Sequence, residues 1–421
     1  MIIKKFLCAI SSAFLLLSAV SCGNEKIVRE QKEQTVISLS WWGNDKRHEY
    51  TIEAVKKFQL LHPDIKVNIN YSEWSGYEAR SRIQMTSNTE ADVMQINFNW
   101  LGQFSPDGDG YYDINTLRDY VDLSSFSEDM LEYGTVKGRL NGVPIAMNSM
   151  TVYINKTVYE KYGLDIPETW DDLFNAAKVM SKDGIYPLSG AAKQMWLFCM
   201  SYVEQKTGKS FITSKGTIGF NSDDFRDMID MYCRLVNEKV IPQIEYFERI
   251  NLNDGKYAGT VAWVSDAINY CGTAMENGFE YVCADYISID PSLTGYGWTA
   301  KPATLYAVSK NTDHPKEAAM LLDFLLNSKE AALLQGVEKG IPLSTDARRY
   351  LEEDGQLQGL QYEASQLMEN NPRIREMDPF VENNDVISNF IDSCNLVLFN
   401  KANIEKVASE FARSTNKIYS S

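Results

Sequence analysis

Short apolar runs alternate with amphipathic stretches along the N-terminal third of the chain. Thr35 to Trp42 is rich in β-branched and aromatic residues, which predicts a strand, and His48 to Leu61 repeats apolar residues with a helical period. Ile65 to Tyr71 alternates like a strand, Tyr77 to Thr86 has a helical pattern, and Asp92 to Asn97 reads as a further strand. This order of elements predicts an α/β unit with a mostly parallel sheet.

The rest of the chain continues this alternation. Further strands are predicted at 142–153, 260–264, 281–289 and 302–309, and helices at 170–180, 223–237 and 315–327. From Ala347 onward the pattern is mainly helical, with long apolar periods at 386–399 and 404–418. Because the length exceeds what one hydrophobic core usually serves, we expect two α/β lobes.

The first 22 residues have the pattern of an export signal. Lys4 and Lys5 precede an apolar run from Phe6 to Val20, which is shorter than the roughly 20 residues of a membrane-spanning helix. The run leads to Cys22, and the segment resembles a bacterial lipoprotein signal whose lipidated first residue would be Cys22. The alternative is a plain secretory cut with Cys22 incidental. Both place the mature chain outside the cytoplasm, and the polar segment 23–34 predicts a flexible tether.

Composition narrows the function classes. A hydrophobic content of 44% and a charged content of 23% are typical of a soluble globular protein, and the net charge of −16 argues against nucleic acid as a partner. Only three histidines are present, so a zinc site or a histidine-dependent triad has few candidate members, and we predict no metal and no cofactor. Five cysteines follow the signal without CxxC spacing, and one disulfide or buried free thiols both remain open: Cys199, Cys233, Cys271, Cys283 and Cys394.

Five segments carry recognisable motifs. Three lie in the middle of the chain, at Gly138 to Pro144 (GRLNGVP), Thr151 to Lys156 (TVYINK) and Pro167 to Leu173 (PETWDDL). Two lie later, at Lys316 to Leu325 (KEAAMLLDFL) and Gly340 to Ser344 (GIPLS). These segments resemble the central and late signatures of the family 1 extracellular solute-binding proteins of carbohydrate ABC importers, the maltose-binding-protein-like group. The resemblance implies a type II periplasmic-binding-protein fold, in which two α/β lobes are joined by a hinge and close on a ligand cleft.

A narrower resemblance is to oligogalacturonide-binding proteins. It rests on Ser40 to Gly43 (SWWG) with Arg47 and His48, on Asp92 to Leu101 (DVMQINFNWL), and on Lys301 to Ala303 (KPA) with Leu325 to Glu330 (LLNSKE). The resemblance implies a lipid-anchored, monomeric protein that captures a pectic oligosaccharide and delivers it to ABC permease subunits in the membrane. The same role for a neutral oligosaccharide is the alternative.

The family fold also implies a division of the chain. We expect residues 35–145 with 295–343 to form the first lobe, and residues 146–294 with 344–421 to form the second lobe.

Sugar-binding sites combine aromatic rings, which stack on the apolar faces of the sugar, with polar groups that bind the hydroxyl rim. Ligands of open α/β sheets lie outside the carboxyl ends of the strands, where Trp41 and Trp42 end one strand and Asn97, Asn99 and Trp100 follow another. Adjacent strand residues face opposite ways, so at most one of Trp41 and Trp42 is expected to stack on ligand.

The remaining candidates follow from strand ends, loops and the resemblance. Trp74 is predicted in a loop before a helix, whereas Trp170, in a helix-start signature capped by Thr169, is interpreted as structural. An acidic sugar would need cations, for which Arg47 and Lys301 precede Arg80 and Arg82 as candidates. The other predicted ligand contacts are Asn44, Asn148, Lys193, Trp196, Trp263 and Asp266.

Two other function classes are alternatives to a transport-linked binding protein. A surface glycoside hydrolase would need two carboxylates across the scissile bond, and although the chain has 57 acidic residues, none occupies a recognisable catalytic motif. A sugar sensor that docks on a receptor is the other alternative. We therefore predict a binding protein that is not an enzyme.

Overall fold

The computed structural model describes residues 34–243 and 251–420, so the predicted signal peptide, its lipidated Cys22 and nearly all of the tether lie outside the described residues. The strands in this part of the chain are β1 Thr35–Trp42, β2 Ile65–Ser72, β3 Val93–Ile96, β4 Thr135–Val136, β5 Arg139–Leu140, β6 Val143–Asn155, β7 Gly259–Trp263, β8 Tyr281–Ala284, β9 Thr299–Val308 and β10 Arg375–Glu376. The helices are α1 Asp45–Leu61, α2 Trp74–Ser87, α3 Asn99–Phe104, α4 Glu128–Glu132, α5 Lys156–Lys161, α6 Trp170–Met180, α7 Ala192–Thr207, α8 Ser222–Asn237, α9 Ala267–Glu276, α10 Pro315–Asn327, α11 Lys329–Gln335, α12 Thr345–Glu353, α13 Leu360–Glu369, α14 Asn384–Leu398 and α15 Ile404–Tyr419.

Local sequence signals set most of these bounds, and the exceptions have local causes. β1, α6 and α10 have the predicted bounds. α1 begins at Asp45, earlier than predicted, because the Asn44 side chain caps it by accepting a hydrogen bond from Arg47 N at 2.9 Å. The prediction of Trp74 in a loop was wrong, because α2 begins at that residue. The strand predicted at 281–289 ends at Ala284, where its pairing with β6 stops.

The main sheet is mixed. Its order is β2-β1-β3-β9-β6-β7, with β8 beside β6 and β10 beside β9. β1 runs parallel to β2 and β3, as predicted, but β3, β9, β6 and β7 are antiparallel neighbours, so the expectation of a mostly parallel sheet holds only for the first three strands.

Two long strands connect the lobes. The first half of β6, up to Ser149, pairs with β9, and its second half pairs with β7 and β8. β9 pairs with β6 over residues 300–306 and with β3 over residues 305–308. A third connection passes at Gly340 to Leu343, where Leu343 N donates to Ile145 O at 2.9 Å. These three connections form the hinge region of the predicted two-lobe α/β fold.

Each lobe has its own core. One hydrophobic cluster contains Ile37 and Phe58 of β1 and α1, and another contains Phe198 and Phe225 of α7 and α8. α12 packs on α10 and α11 of the first lobe. We therefore propose that residues 35–145 with 295–353 form the first lobe and that residues 146–294 with 354–421 form the second. The last expected boundary, between 343 and 344, thus moves to the end of α12.

Several side chains interpreted as structural are structural. Thr169 forms a capping box with Asp172 at the start of α6, and Trp170 is buried and donates to Gln205 Oε1 at 3.0 Å. The five cysteines after the signal are free thiols, so the disulfide alternative is not realised. Within 34–243 and 251–420, no helix combines the length and apolar character needed to cross a bilayer.

Candidate functional site

An aromatic cluster lies at the carboxyl end of β1 in the first lobe. The ring of Trp42 lies 5.0 Å from that of Trp74 and 5.3 Å from that of Tyr77, measured between centroids. Trp100 stacks on Tyr77 at 5.9 Å and on Trp74 at 6.1 Å. Trp74 is 38% exposed and Trp42 is partly exposed, whereas Tyr77 and Trp100 are buried. The cluster thus leaves the indole rings of Trp42 and Trp74 partly exposed and packs them against the buried rings of Tyr77 and Trp100.

Three of the predicted ligand tryptophans belong to the interior. Trp41 is fully buried on the α1 side of the sheet, where it stacks on Tyr71 at 4.9 Å and donates to His48 Nδ1 at 3.1 Å. Trp100 is 2% exposed. Trp196 lies inside α7 and donates to Val381 O at 2.9 Å. These three predictions are corrected, because a ring enclosed on both faces has no face left for a sugar.

Amide oxygens without donors lie beside the aromatic cluster. The Oδ1 atoms of Asn97 and Asn99 are buried and accept no hydrogen bond from the described residues, and the same holds for Oε1 of Gln95. All three residues stand at alternate positions where β3 runs into α3. Buried acceptors of this kind favour a partner that donates, such as a hydroxyl group or water.

The start of α1 reaches across the cleft to the second lobe. Arg47 NH2 lies 3.7 Å from Asp266 Oδ1, and Asn44 Nδ2 donates to Asn269 Oδ1 at 3.4 Å. Arg47 also donates to Glu338 O at 2.7 Å, while its Nε has no partner among the described residues. Burial raises the pKa of Asp266, and Arg47 and Asn269 partly offset that effect. These contacts connect the first lobe to the second at the edge of the cleft.

The side-chain amide of Asn148 is already hydrogen-bonded within the protein. Its Nδ2 donates to Ser265 Oγ at 2.9 Å, and its Oδ1 accepts from Ser265 N at 3.1 Å. The residue is 6% exposed. Its amide therefore anchors the turn that carries Asp266, and we assign it a positioning role in place of the predicted ligand contact.

A cationic cluster joins β9, one of the strands that connect the lobes, to the second lobe. Glu382 Oε2 lies 2.5 Å from Lys301 Nζ, and Glu382 Oε1 lies 3.1 Å from Lys193 Nζ. Burial would raise the pKa of Glu382, but the two ammonium groups outweigh it and lower that pKa to about 2. The cluster of two lysines and one ionised glutamate therefore has a net charge of +1.

The cationic cluster adjoins an aromatic ring. Lys301 Nζ lies 5.1 Å from the centroid of Trp263, which is partly exposed at the end of β7. Glu382 was not predicted, because it lies outside every recognised motif and meets Lys301 only through the tertiary fold. A second unpredicted pair, Gln194 and Tyr270, is joined by a 3.1 Å hydrogen bond.

Two cavities lie outside this cleft. One of about 700 Å³ is beside α13, and another of about 630 Å³ is between α7 and β10. Neither is lined by the aromatic cluster or by Lys301. In the part of the chain that the structure describes, no group of His, Cys, Asp and Glu side chains is placed to hold a metal ion.

Two α/β lobes, a three-connection hinge and a polar, tryptophan-lined cleft define a hinged binding protein. The chain belongs to the bacterial extracellular solute-binding protein family, whose profile matches residues 44–332. A periplasmic solute-binding protein from Pectobacterium atrosepticum is 33% identical, with a TM-score of 0.86 over 92% of this chain and 99% of that one. An oligogalacturonide-binding protein from Yersinia enterocolitica, solved with saturated digalacturonic acid, is 29% identical, with a TM-score of 0.85 over the same shares. The maltodextrin-binding protein of Bacillus subtilis is 22% identical over 84% of both chains.

Proposed function

We propose that this protein captures an acidic oligosaccharide of the oligogalacturonide class and delivers it to the permease subunits of an ABC importer. The observation that carries the proposal is the pairing of Trp263 with Lys301. The ammonium nitrogen of Lys301 lies 5.1 Å from the ring centroid of Trp263, and the cluster that contains Lys301 has a net positive charge. A uronic acid has both complements, an apolar sugar face and a carboxylate.

The first lobe supplies the other half of this site. Trp42 and Trp74 offer ring faces for stacking, and Asn97 and Asn99 offer acceptors for sugar hydroxyls. Arg47 at the closing edge supplies a second cation, whose fork can bind a carboxylate in two places. The Yersinia protein was solved with digalacturonic acid, and this similarity supports an acidic ligand. The similarity to the Bacillus maltodextrin-binding protein supports the alternative, a neutral oligosaccharide.

Membrane attachment is the second part of the proposal. We infer that the mature chain begins at Cys22, carries lipid there, and reaches the permease on the polar tether 23–34 as a monomer. The sequence pattern before Cys22 supports this inference. Radiolabelled palmitate incorporation tests it: a Cys22→Ser variant should take up no label and should be released from the membrane fraction.

Calorimetric titration of the purified protein tests the substrate. We expect binding of digalacturonate and trigalacturonate, and no binding of neutral xylo-, manno- or malto-oligosaccharides. A Lys301→Met, Glu382→Leu double variant removes the ammonium group beside Trp263 together with its carboxylate partner, and Lys193 keeps the cluster at a net charge of +1. It should lose affinity for the acidic sugars because the cation next to the ring is gone, although the net charge is unchanged. Lys178→Met, on the exposed face of α6, is the matched control. Tight binding of a neutral sugar would refute the acidic substrate and leave the solute-binding role in place.

A further inference from the structure

The start of α2 adjoins the carboxyl end of β2 beside the aromatic cluster. β2 ends at Ser72, whose register partner on β1 is Trp42, and α2 begins two residues later at Trp74. Tyr77 and Arg80 are three residues apart, which makes them neighbours on the surface of α2. The chain therefore brings a guanidinium group to the corner of the first lobe where the ring of Trp74 is exposed.

Two contacts orient the guanidinium of Arg80 in this corner. Its Nη2 donates to Ser72 Oγ at 3.0 Å, and its central carbon lies 5.7 Å from the ring centroid of Tyr77. Tyr77 in turn packs against Trp42, with 5.3 Å between the ring centroids. The side chain of Arg80 is only partly buried, so these contacts position the guanidinium without enclosing it.

Arg80 differs from the other candidate cations of the cleft because no carboxylate of the protein lies against it. Lys301 is paired with Glu382, and Arg47 lies 3.7 Å from Asp266. In the part of the chain that the structure describes, the side-chain partners of Arg80 are a hydroxyl group and a ring, with no carboxylate among them. A guanidinium in this state has donors left for a carboxylate, which it can bind in two places.

We propose that Arg80 binds the carboxylate of a uronic acid unit whose sugar face stacks on Trp74. The carboxylate of a uronic acid is attached at the edge of the sugar ring, so a unit that lies against an indole directs this group past the rim of the indole. Arg80 is the cation that the structure places against the aromatic cluster. With Lys301 beside Trp263, the cleft then has one indole and one cation for each of two uronic acid units. The inference rests on the proposed function, because it needs an acidic sugar.

Arg82 provides the matched comparison, because it is the neighbouring arginine on α2. Its side chain is 58% exposed and faces Glu78 at 3.8 Å, so the structure does not bring it to the aromatic cluster. Removing either arginine changes the net charge of the protein by the same amount. A difference in binding between the two variants therefore reports the position of the guanidinium and not the general field of the protein.

Calorimetric titration of the purified protein with digalacturonate tests the inference. Arg80→Met should weaken binding about tenfold, as expected for the loss of one hydrogen-bonded contact to a charged group, whereas Arg82→Met should bind like the native protein. Arg80→Lys keeps the charge without the planar fork and should bind more tightly than Arg80→Met. In a Trp74→Ala background, Arg80→Met should weaken binding less than about threefold, because the sugar unit that carries the carboxylate has lost its ring.

Two results would overturn the role of Arg80 and leave the proposed function in place. One is equal affinity of Arg80→Met and Arg82→Met for digalacturonate. The other is a tenfold loss that persists in full in the Trp74→Ala background, because the two side chains would then act on the ligand independently. Absence of any binding of acidic sugars by the native protein would instead refute the proposed function itself. If Arg80→Met does not fold, Arg80→Lys should still bind more weakly than Arg82→Lys, and equal affinities of that pair would overturn the inference.

Discussion

Replacing Glu382 with glutamine tests the electrostatic reasoning on which the site rests. The carboxylate is buried between Lys301 and Lys193, and its pKa of about 2 lies well below the reference of 4.5 for an unfolded chain. Each unit of this difference corresponds to about 1.4 kcal/mol, so the ionised carboxylate contributes about 3 kcal/mol to the free energy of unfolding. Removing one partner of a buried ion pair costs a similar amount, about 3–5 kcal/mol.

The stability difference between Glu382→Gln and the native protein should depend on pH. Because the pKa of Glu382 is lower in the folded state, its contribution is complete above about pH 4.5 and is lost as the pH falls towards 2. Glu382→Gln should therefore be about 3 kcal/mol less stable than the native protein at neutral pH. That difference should shrink progressively below pH 4.5, where the native carboxylate begins to take up its proton.

Urea denaturation followed by tryptophan fluorescence measures this difference. Glu410→Gln is the matched control, since Glu410 is exposed and pairs with Lys406 at 3.9 Å, and it should change stability by less than about 1 kcal/mol. A difference for Glu382→Gln that stays constant from neutral pH down to about pH 3 would refute the reasoning. The variant also raises the cluster charge from +1 to +2, so it should bind digalacturonate more tightly wherever it is folded.

Three further predictions concern the cleft and the second lobe. Arg47→Ala should weaken binding of acidic sugars more than Arg118→Ala does, and equal titration curves for the two variants would contradict a role for Arg47. Trp74→Ala should lower affinity about 30-fold, or about 2 kcal/mol, because it removes an exposed ring, and unchanged calorimetric affinity would exclude stacking there. Thr169→Ala should lower the free energy of unfolding by about 1 kcal/mol with affinity unchanged, since Thr169 only caps α6.

Elements whose signals are local could be predicted from the amino-acid sequence alone. Apolar periodicity and capping residues fixed β1, α6 and α10 to the residue, and the capping role of Thr169 could be read from its spacing to Asp172. Family signatures spread along the chain also gave the two-lobe class. These features depend on residues a few positions apart, which the sequence shows directly.

Contacts between residues far apart in the chain could be seen only in the folded protein. The sequence placed Trp41, Trp100 and Trp196 at the cleft, but packing against α1, Tyr77 and the core of the second lobe encloses their rings. It also could not show that Glu382 lies between Lys301 and Lys193. Burial and charge pairing depend on neighbours far away in the chain, and those neighbours are brought together only when both lobes and the hinge are folded.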